Sequence, residues 1–349
     1  MIHARGLTRV FKLKKEAVEA VRGIDLDVEA GQLVAFLGPN GAGKSTTLRM
    51  LTTLLPPTSG TATVAGRDIA RDPAGVRARI GYVGQRNGAG ENFRVRDELV
   101  THGRCYGLAP AEASRRADEL LDLLELRPLA QRKPGTLSGG QRRRLDIALG
   151  LVHRPELLFL DEPSTGLDPK SRAEVWSHIL RLREAYGTTL FLTTHYLEEA
   201  DSMAERVVII DNGEIIADGT AGGLKNDLAG DRITITTTTE QEAATAARLG
   251  GSEAAVRTSA GTAIPAAVGT TNGRTGGRAG EAAVEAAVEV EGTTVRLRVA
   301  NAATALPEYL RTLEANGVKV ATAETARPTL DDVFLTLTGR SLTDDDIPS

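Results

Sequence analysis

Residues 33–46 read LVAFLGPNGAGKST. The five apolar residues 33–37 are the short continuous run expected of a strand buried on both faces. Gly38, Gly43, Lys44 and Ser45 then match the spacing of a phosphate-binding loop, and a helix is predicted from Ser45. In such a strand–loop–helix unit the backbone N–H groups of 40–44 wrap a β-phosphate. Lys44 reaches the β- and γ-phosphates, and Ser45 is a ligand for Mg²⁺. The competing reading is a chance glycine-rich turn. The length of the pattern and its setting between a strand and a helix argue against it.

Working outward, the 349 residues suggest about two domains. Hydrophobic residues make up 41% and charged residues 25%, an ordinary globular balance. The net charge of −4 gives no bulk electrostatic case for nucleic acid or an anionic membrane surface. The single cysteine, Cys105, excludes an internal disulfide and fits a reducing cytosol. No run reaches the roughly 18–20 apolar residues of a membrane span, and the N-terminus lacks a signal-peptide core. The expectation is a soluble protein that meets a membrane only through a partner.

Before the loop, Ile24, Leu26 and Val28 alternate as in an antiparallel strand. After it, 91–131 has helical periodicity, ELLFLDEP (156–163) and TTLFLTTH (188–195) read as buried strands, and 206–219 reads as a hairpin about Asn212-Gly213. The composition shifts near 226. DRITITTTT is an alternating strand, a helix follows from 240, and 251–289 is rich in Ala, Gly and Thr and reads as loose in its middle. A strand near 284–291, the strand TTVRLRVA, a helix from 306 ending at Gly317 and the strand VKVATAE complete a β-α-β-β-α-β order. A last helix, TLDDVFLTLTG, has Thr329 as its N-cap. The closing DDDIPS reads as a frayed tail.

Several strand ends carry polar groups. Asp161 can hold the metal, directly or through water, and Glu162 stands where it can polarise an attacking water as general base. The plainer alternative for the pair is a helix cap or a solvated corner. Gln85, after IGYV, can reach Mg²⁺ or the water. His195 can hydrogen-bond a γ-phosphate. Alone, each is more often a surface or structural residue. Together, the strand ends at 37, 85, 161 and 195 would converge on one face. A second anion-binding signal is LSGGQRRRLDIA (137–148), a serine and two glycines opening a helix. The arginine run 142–144 reads mostly as a solvated helix face, with one arginine free to face a phosphate or an acid.

The set GPNGAGKST, Gln85, LSGGQ, LLFLDEP, STGLD and TTH, in this order, closely resembles the ATP-binding subunit of ABC transporters over residues 1–226. The resemblance implies an α/β P-loop NTPase: an ABC-type nucleotide-binding domain with an antiparallel β subdomain and a helical subdomain at 86–155. A small α+β C-terminal domain would cover 227–340, with an insertion at 251–289 and a tail at 341–349. It implies ATP contacts from Gly38, Pro39, Asn40, Gly41, Ala42, Gly43, Lys44, Ser45 and Thr46, and an adenine stack on Phe11. Mg²⁺ would be held by Ser45, Gln85 and Asp161, and Glu162, His195 and Lys44 would be catalytic. It also gives the second anion site a purpose. Two subunits pair head to tail, and Ser138, Gly139, Gly140 and Gln141 of one close over the ATP of the other, with Asp168 along the seam.

RPTLDDVFLTLTG resembles the end of the daunorubicin-resistance type of ATP-binding subunit, found in multidrug and antibiotic exporters. The implied protein is an ATP hydrolase working as a homodimer at the cytoplasmic face of the membrane. It would power export of a drug-like, antibiotic or lipid-like compound through separately encoded permease subunits, with no nucleic-acid partner. Residues 91–131 would meet the permease. One rival is a soluble ABC-type ATPase of ribosomes or DNA. It is disfavoured by the single P-loop, single cysteine and absence of a long heptad run. The other, a P-loop kinase or GTPase, would need an acceptor site the sequence does not carry.

Overall fold

The computed structural model describes residues 1–12, 17–258 and 288–340. The chain divides into two compact units, Met1–Thr220 and Ala221–Ser349. In the first, β1 (Ile2–Lys12) and β2 (Ala17–Val28) lead to β3 (Leu33–Leu37) and α1 (Lys44–Leu51). Next come β4 (Ser59–Val64), β5 (Arg67–Asp68), α2 (Pro73–Arg77) and β6 (Ile80–Val83). The helical stretch is α3 (Val95–Cys105), α4 (Pro110–Leu123) and α5 (Gly139–Leu151). Then follow β7 (Leu157–Asp161), α6 (Pro169–Tyr186), β8 (Thr189–Thr194), α7 (Leu197–Met203), β9 (Arg206–Asp211) and β10 (Glu214–Gly219).

Two sheets share one core. The antiparallel sheet has the order β2-β1-β4-β5. Its inward residues Ile2, Leu7, Ile24, Leu26 and Val28 pack with Leu48 and Met50 of α1 and with Phe36 of the central sheet. The central sheet has the order β10-β9-β3-β8-β7-β6, parallel except at the β10 edge. Its middle strands are buried along their whole length, which is why the apolar residues of 33–37, 157–160 and 190–192 run on without alternation. Phe191 is the hub, with ring centroids 5.5 Å from Phe36 and 5.6 Å from Phe159. The β9–β10 turn puts Asn212 and Gly213 both at positive φ, the conformation an Asn-Gly hairpin turn requires.

The second unit opens with α8 (Ala221–Leu224) and a wide helical turn at Lys225–Ala229. It continues through β11 (Asp231–Thr237), α9 (Glu240–Thr258), β12 (Val288–Glu291), β13 (Thr294–Val299), α10 (Ala302–Ala315), β14 (Val320–Ala326) and α11 (Leu330–Thr338). The sheet is antiparallel with order β12-β13-β11-β14, the arrangement of a split β-α-β-β-α-β unit. Ile233, Ile235, Val295 and Leu297 face Ala243, Ala246, Tyr309 and Leu313 of the two helices. Two boundaries differ from expectation. Helix α10 starts at 302, because Asn301 accepts the Thr304 N–H as N-cap, so Pro307 falls inside the helix. Helix α9 runs on to Thr258 through Glu-Ala-Ala, which are strong helix formers. Most of the expected insertion (259–287) and all of the expected tail beyond Arg340 lie outside the described residues.

Candidate functional site

The parallel register sets the site. Leu37 pairs with Thr194, Asp161 with Thr193, and Val83 with Leu160, so the carboxyl ends of β3, β8, β7 and β6 lie side by side. The residues just beyond these ends are Gly38, His195, Glu162 and Gln85. The loop 38–43 needs its glycines for space. A Cβ on Gly38 would lie 2.2 Å from the Ile210 carbonyl oxygen, and one on Gly43, already at φ +103°, would lie 2.5 Å from that of Ala20. The first intrahelical bond of α1 is Thr47 N–H to Gly43 O at 2.9 Å. Ser45 and Thr46 precede that bond, so their N–H groups belong to the turn of a helix N-terminus that favours an anion. Lys44 is 5% exposed. Its Nζ donates to the carbonyls of Gly38 (2.6 Å) and Pro39 (3.0 Å) and stands 3.7 Å from Glu162 Oε1.

Asp161 is buried at the end of β7. Its Oδ1 accepts from Ser45 Oγ at 3.0 Å and from Thr193 Oγ1 at 2.7 Å, while its buried Oδ2 has no partner. Gln85 Nε2 donates to Ser45 Oγ at 3.4 Å, so the three residues expected at the metal are gathered in one cluster. Glu162 has φ +47°, a left-handed conformation rare for a side chain of its size. Its N–H is held by Thr193 through the carbonyl (3.2 Å) and the hydroxyl (3.0 Å). The carboxylate lies 3.4 Å from His195 Nδ1 and accepts from Thr165 Oγ1 at 3.3 Å. Burial pushes this carboxyl up, but the adjacent His195 ring and the Lys44 charge outweigh it, so Glu162 sits below its ordinary range and is ionised.

Ser138, Gly139, Gly140 and Gln141 open α5 as a capping box. Ser138 Oγ accepts the Gln141 N–H at 3.3 Å, and Gln141 Oε1 accepts the Ser138 N–H at 3.1 Å. A Cβ on Gly140 would lie 3.0 Å from the Ser171 side chain, so this end of α5 is seated on the start of α6. Asp168 caps α6 by accepting the Ser171 N–H at 3.0 Å. Phe11 lies on β1, in another sheet, with the Arg9 guanidinium 4.8 Å over its ring.

The arginine run behaves differently from a solvated face. Arg142 pairs with Glu91 at 3.0 Å. Arg144 donates to the Leu124 carbonyl. Arg143, which sequence reasoning did not single out, is 7% exposed and donates to the carbonyls of Pro163 (2.7 Å), Gly84 (2.6 Å) and Asp161 (3.1 Å). It ties the end of β7 to the residue before Gln85, and burial lowers its pKa. Its helical spacing with Ile147 and Gly150, both buried, was the available signal. Asp146 was missed too. Its Oδ1 accepts the N–H groups of Gly88 (2.9 Å) and Ala89 (3.2 Å), fixing the segment after Gln85, and burial raises its pKa. Thr193 was hidden as one more residue of an apolar strand.

Known proteins are similar to this chain in sequence and in fold. The family model described as ABC transporter matches residues 21–165. A daunorubicin resistance ATP-binding protein of Streptomyces coeruleorubidus is 43% identical over 336 residues, covering 94% of this chain and 95% of the relative. A daunorubicin/doxorubicin resistance ATP-binding protein of Streptomyces peucetius is 48% identical over 248 residues, 71% of this chain and 74% of the relative. Among solved structures, an ATP-binding cassette described as a dimeric post-hydrolysis state bound to ADP and Pi aligns with TM-score 0.58 and 27% identity. That alignment covers 63% of this chain and 98% of the cassette.

Proposed function

The chain belongs to the family of ABC transporter ATP-binding proteins, and we propose that it powers export of a drug-like, antibiotic or lipid-like compound through separately encoded permease subunits. It is an ATP hydrolase of the P-loop class. The observation that carries this reading is the convergence of Lys44, Ser45, Asp161, Glu162 and His195 at one carboxyl edge of the parallel sheet. Phosphate charge is met by the loop's N–H groups and by Lys44. Glu162, ionised and beside His195, would take a proton from an attacking water. His195 would hydrogen-bond the terminal phosphate.

The donor set fits Mg²⁺. One carboxylate with a free buried oxygen, a hydroxyl and an amide suit a hard cation that keeps several of its waters. Bound there, the ion would neutralise charge on the β- and γ-phosphates. Ser45, Asp161 and Gln85 would hold it.

Two copies would act together. Within one chain, Ser138–Gln141 cap their own helix and Asp168 caps the next. With Ser138 and Gln141 capping each other, the remaining N–H groups of this end, those of Gly139 and Gly140, would meet the phosphate of a second copy. The solved cassette above is described as a dimer, which supports this arrangement. Among the described residues no helix is long and apolar enough to cross a membrane. The subunit would work at the cytoplasmic face through its permease partners. Phe93, 68% exposed, lies just before α3 and offers an apolar contact to a permease at residues 91–131. Lys44→Ala tests the site. It should abolish turnover in protein free of contaminating ATPase, and a turnover rate equal to wild type would reject the assignment.

A further inference from the structure

A buried acid outside the sequence-predicted set connects two parts of this site. Glu199, in α7, is 4% exposed. Its Oε1 accepts from the Ser164 hydroxyl, and its Oε2 accepts from Thr194 Oγ1 at 3.0 Å. Ser164 and Thr194 are each 1% exposed. Ser164 lies two residues after Glu162, at the start of the segment running to Asp168. Thr194 is the last residue of β8, directly before His195, and its hydroxyl also accepts the Tyr196 N–H at 2.9 Å. Arg172 of α6 stands 3.8 Å from the Glu199 carboxylate and lies over the Tyr196 ring at 4.0 Å, and that ring packs on His195 at 4.2 Å.

We propose that Glu199 is a positioning residue for hydrolysis, its carboxylate tying the segment after Glu162 to the strand end that carries His195. The inference rests on the roles proposed for Glu162 and His195. The physical case is one of geometry. Glu162 is held in a left-handed backbone conformation that its neighbours must enforce. Thr193 fixes its N–H from one side. On the other side the chain turns through Pro163 to Ser164, whose hydroxyl is received by Glu199. The same carboxylate holds the backbone step that orients His195. A buried carboxyl group accepting two hydroxyl bonds is a stiff link, because leaving either hydroxyl unpaired in a dry site is costly. The Glu162–His195 contact of 3.4 Å, and the approach of 163–168 to a second copy, then depend on one side chain. The partners of the Glu199 carboxylate are Ser164, Thr194 and Arg172, which all lie outside the P-loop, so nucleotide binding should be spared.

Glu199→Gln in the full chain keeps the size and one acceptor but loses the charge and the second acceptor. It should lower kcat about ten-fold or more, with the ATP dissociation constant within about two-fold of wild type. Thr194→Val removes the hydroxyl at equal shape and should reproduce the loss. Thr194→Ser restores the hydroxyl and should recover most of it. Glu199→Gln combined with Thr194→Val should cost about as much as either alone, as expected for residues of one network. The inference is overturned if Glu199→Gln turns over like wild type, if kcat and affinity fall together, or if Thr194→Ser behaves like Thr194→Val. Glu162→Gln, run alongside, separates the two levels. Turnover that survives Glu162→Gln overturns the site reading and the inference with it. Turnover lost in Glu162→Gln but intact in Glu199→Gln overturns the inference alone.

Discussion

Replacing Glu162 by Gln should do two opposite things. The side chain stands 3.7 Å from Lys44 Nζ and 3.4 Å from His195 Nδ1, and only 10% of it is exposed. At an effective dielectric of about 20, the Lys44–Glu162 attraction is about 4 kcal/mol, and desolvation of both groups returns most of it. A net of about 1 kcal/mol is released when the charge is removed. Lys44 then loses the Glu162 charge that competes with phosphate, and ATP should bind about five-fold tighter. The same change deletes the general base, which costs about 10²–10⁴ in turnover, or about 3–5 kcal/mol of barrier. Tighter binding with lost hydrolysis should trap the closed dimer. Size-exclusion chromatography with light scattering should show a dimer in ATP and a monomer in ADP. Adding Ser138→Arg should return the ATP sample to monomer. Ser138 is exposed, so the arginine costs only the cap of α5, about 1 kcal/mol. A Glu162→Gln enzyme with kcat within about three-fold of wild type refutes the assignment of the base. A dimer that forms equally in ADP, or that tolerates Ser138→Arg, refutes the action of the Ser138–Gln141 turn on a neighbour's nucleotide.

Arg143→Met should destabilise the first unit by about 2–3 kcal/mol, because three buried carbonyls lose a charged donor. That is about 5–10 °C in Tm for a unit of this size. Arg143→Lys should recover little, since a point donor cannot span three acceptors, and an Arg143→Lys protein melting with wild type would contradict the clamp. His153 Nε2 donates to the Ile80 carbonyl at 2.9 Å, and the ring stacks on Tyr106 at 3.7 Å. Burial lowers its pKa from the ordinary 6.5 to about 4. The unfolded chain therefore takes up a proton that the folded chain refuses, so this contribution is complete above about 6.5 and is lost as pH falls towards about 4. The full shift would be about 3 kcal/mol, cut to about 1–2 by water reaching the half-buried ring. Urea midpoints between pH 7 and pH 4 should fall less steeply in His153→Gln than in wild type, and parallel curves would remove His153 as the cause.

Much of this protein is local in the chain and was legible there. A phosphate loop is one strand, one turn and one helix, so Gly38, Gly43, Lys44 and Ser45 announce it within eight residues. Buried parallel strands betray themselves as unbroken apolar runs, and the polar residue ending each run marks the functional edge, which is how Asp161, Glu162, Gln85 and His195 could be named together. What the chain alone left open is whatever depends on which face of an element turns inward. Three consecutive arginines look alike in sequence, and only the packing of α5 against β6 and β7 buries Arg143 and leaves its neighbours at the rim. Thr193 and Thr194 are two residues of one strand, yet strand alternation sends the first to Asp161 and the second to Glu199. Glu199 is one of three acids in α7, and only tertiary structure closes Ser164 and Thr194 over it. Local patterns fix which groups are available, and long-range packing decides which of them lose their water, because desolvation is a property of the folded surroundings and not of the neighbouring residues in sequence.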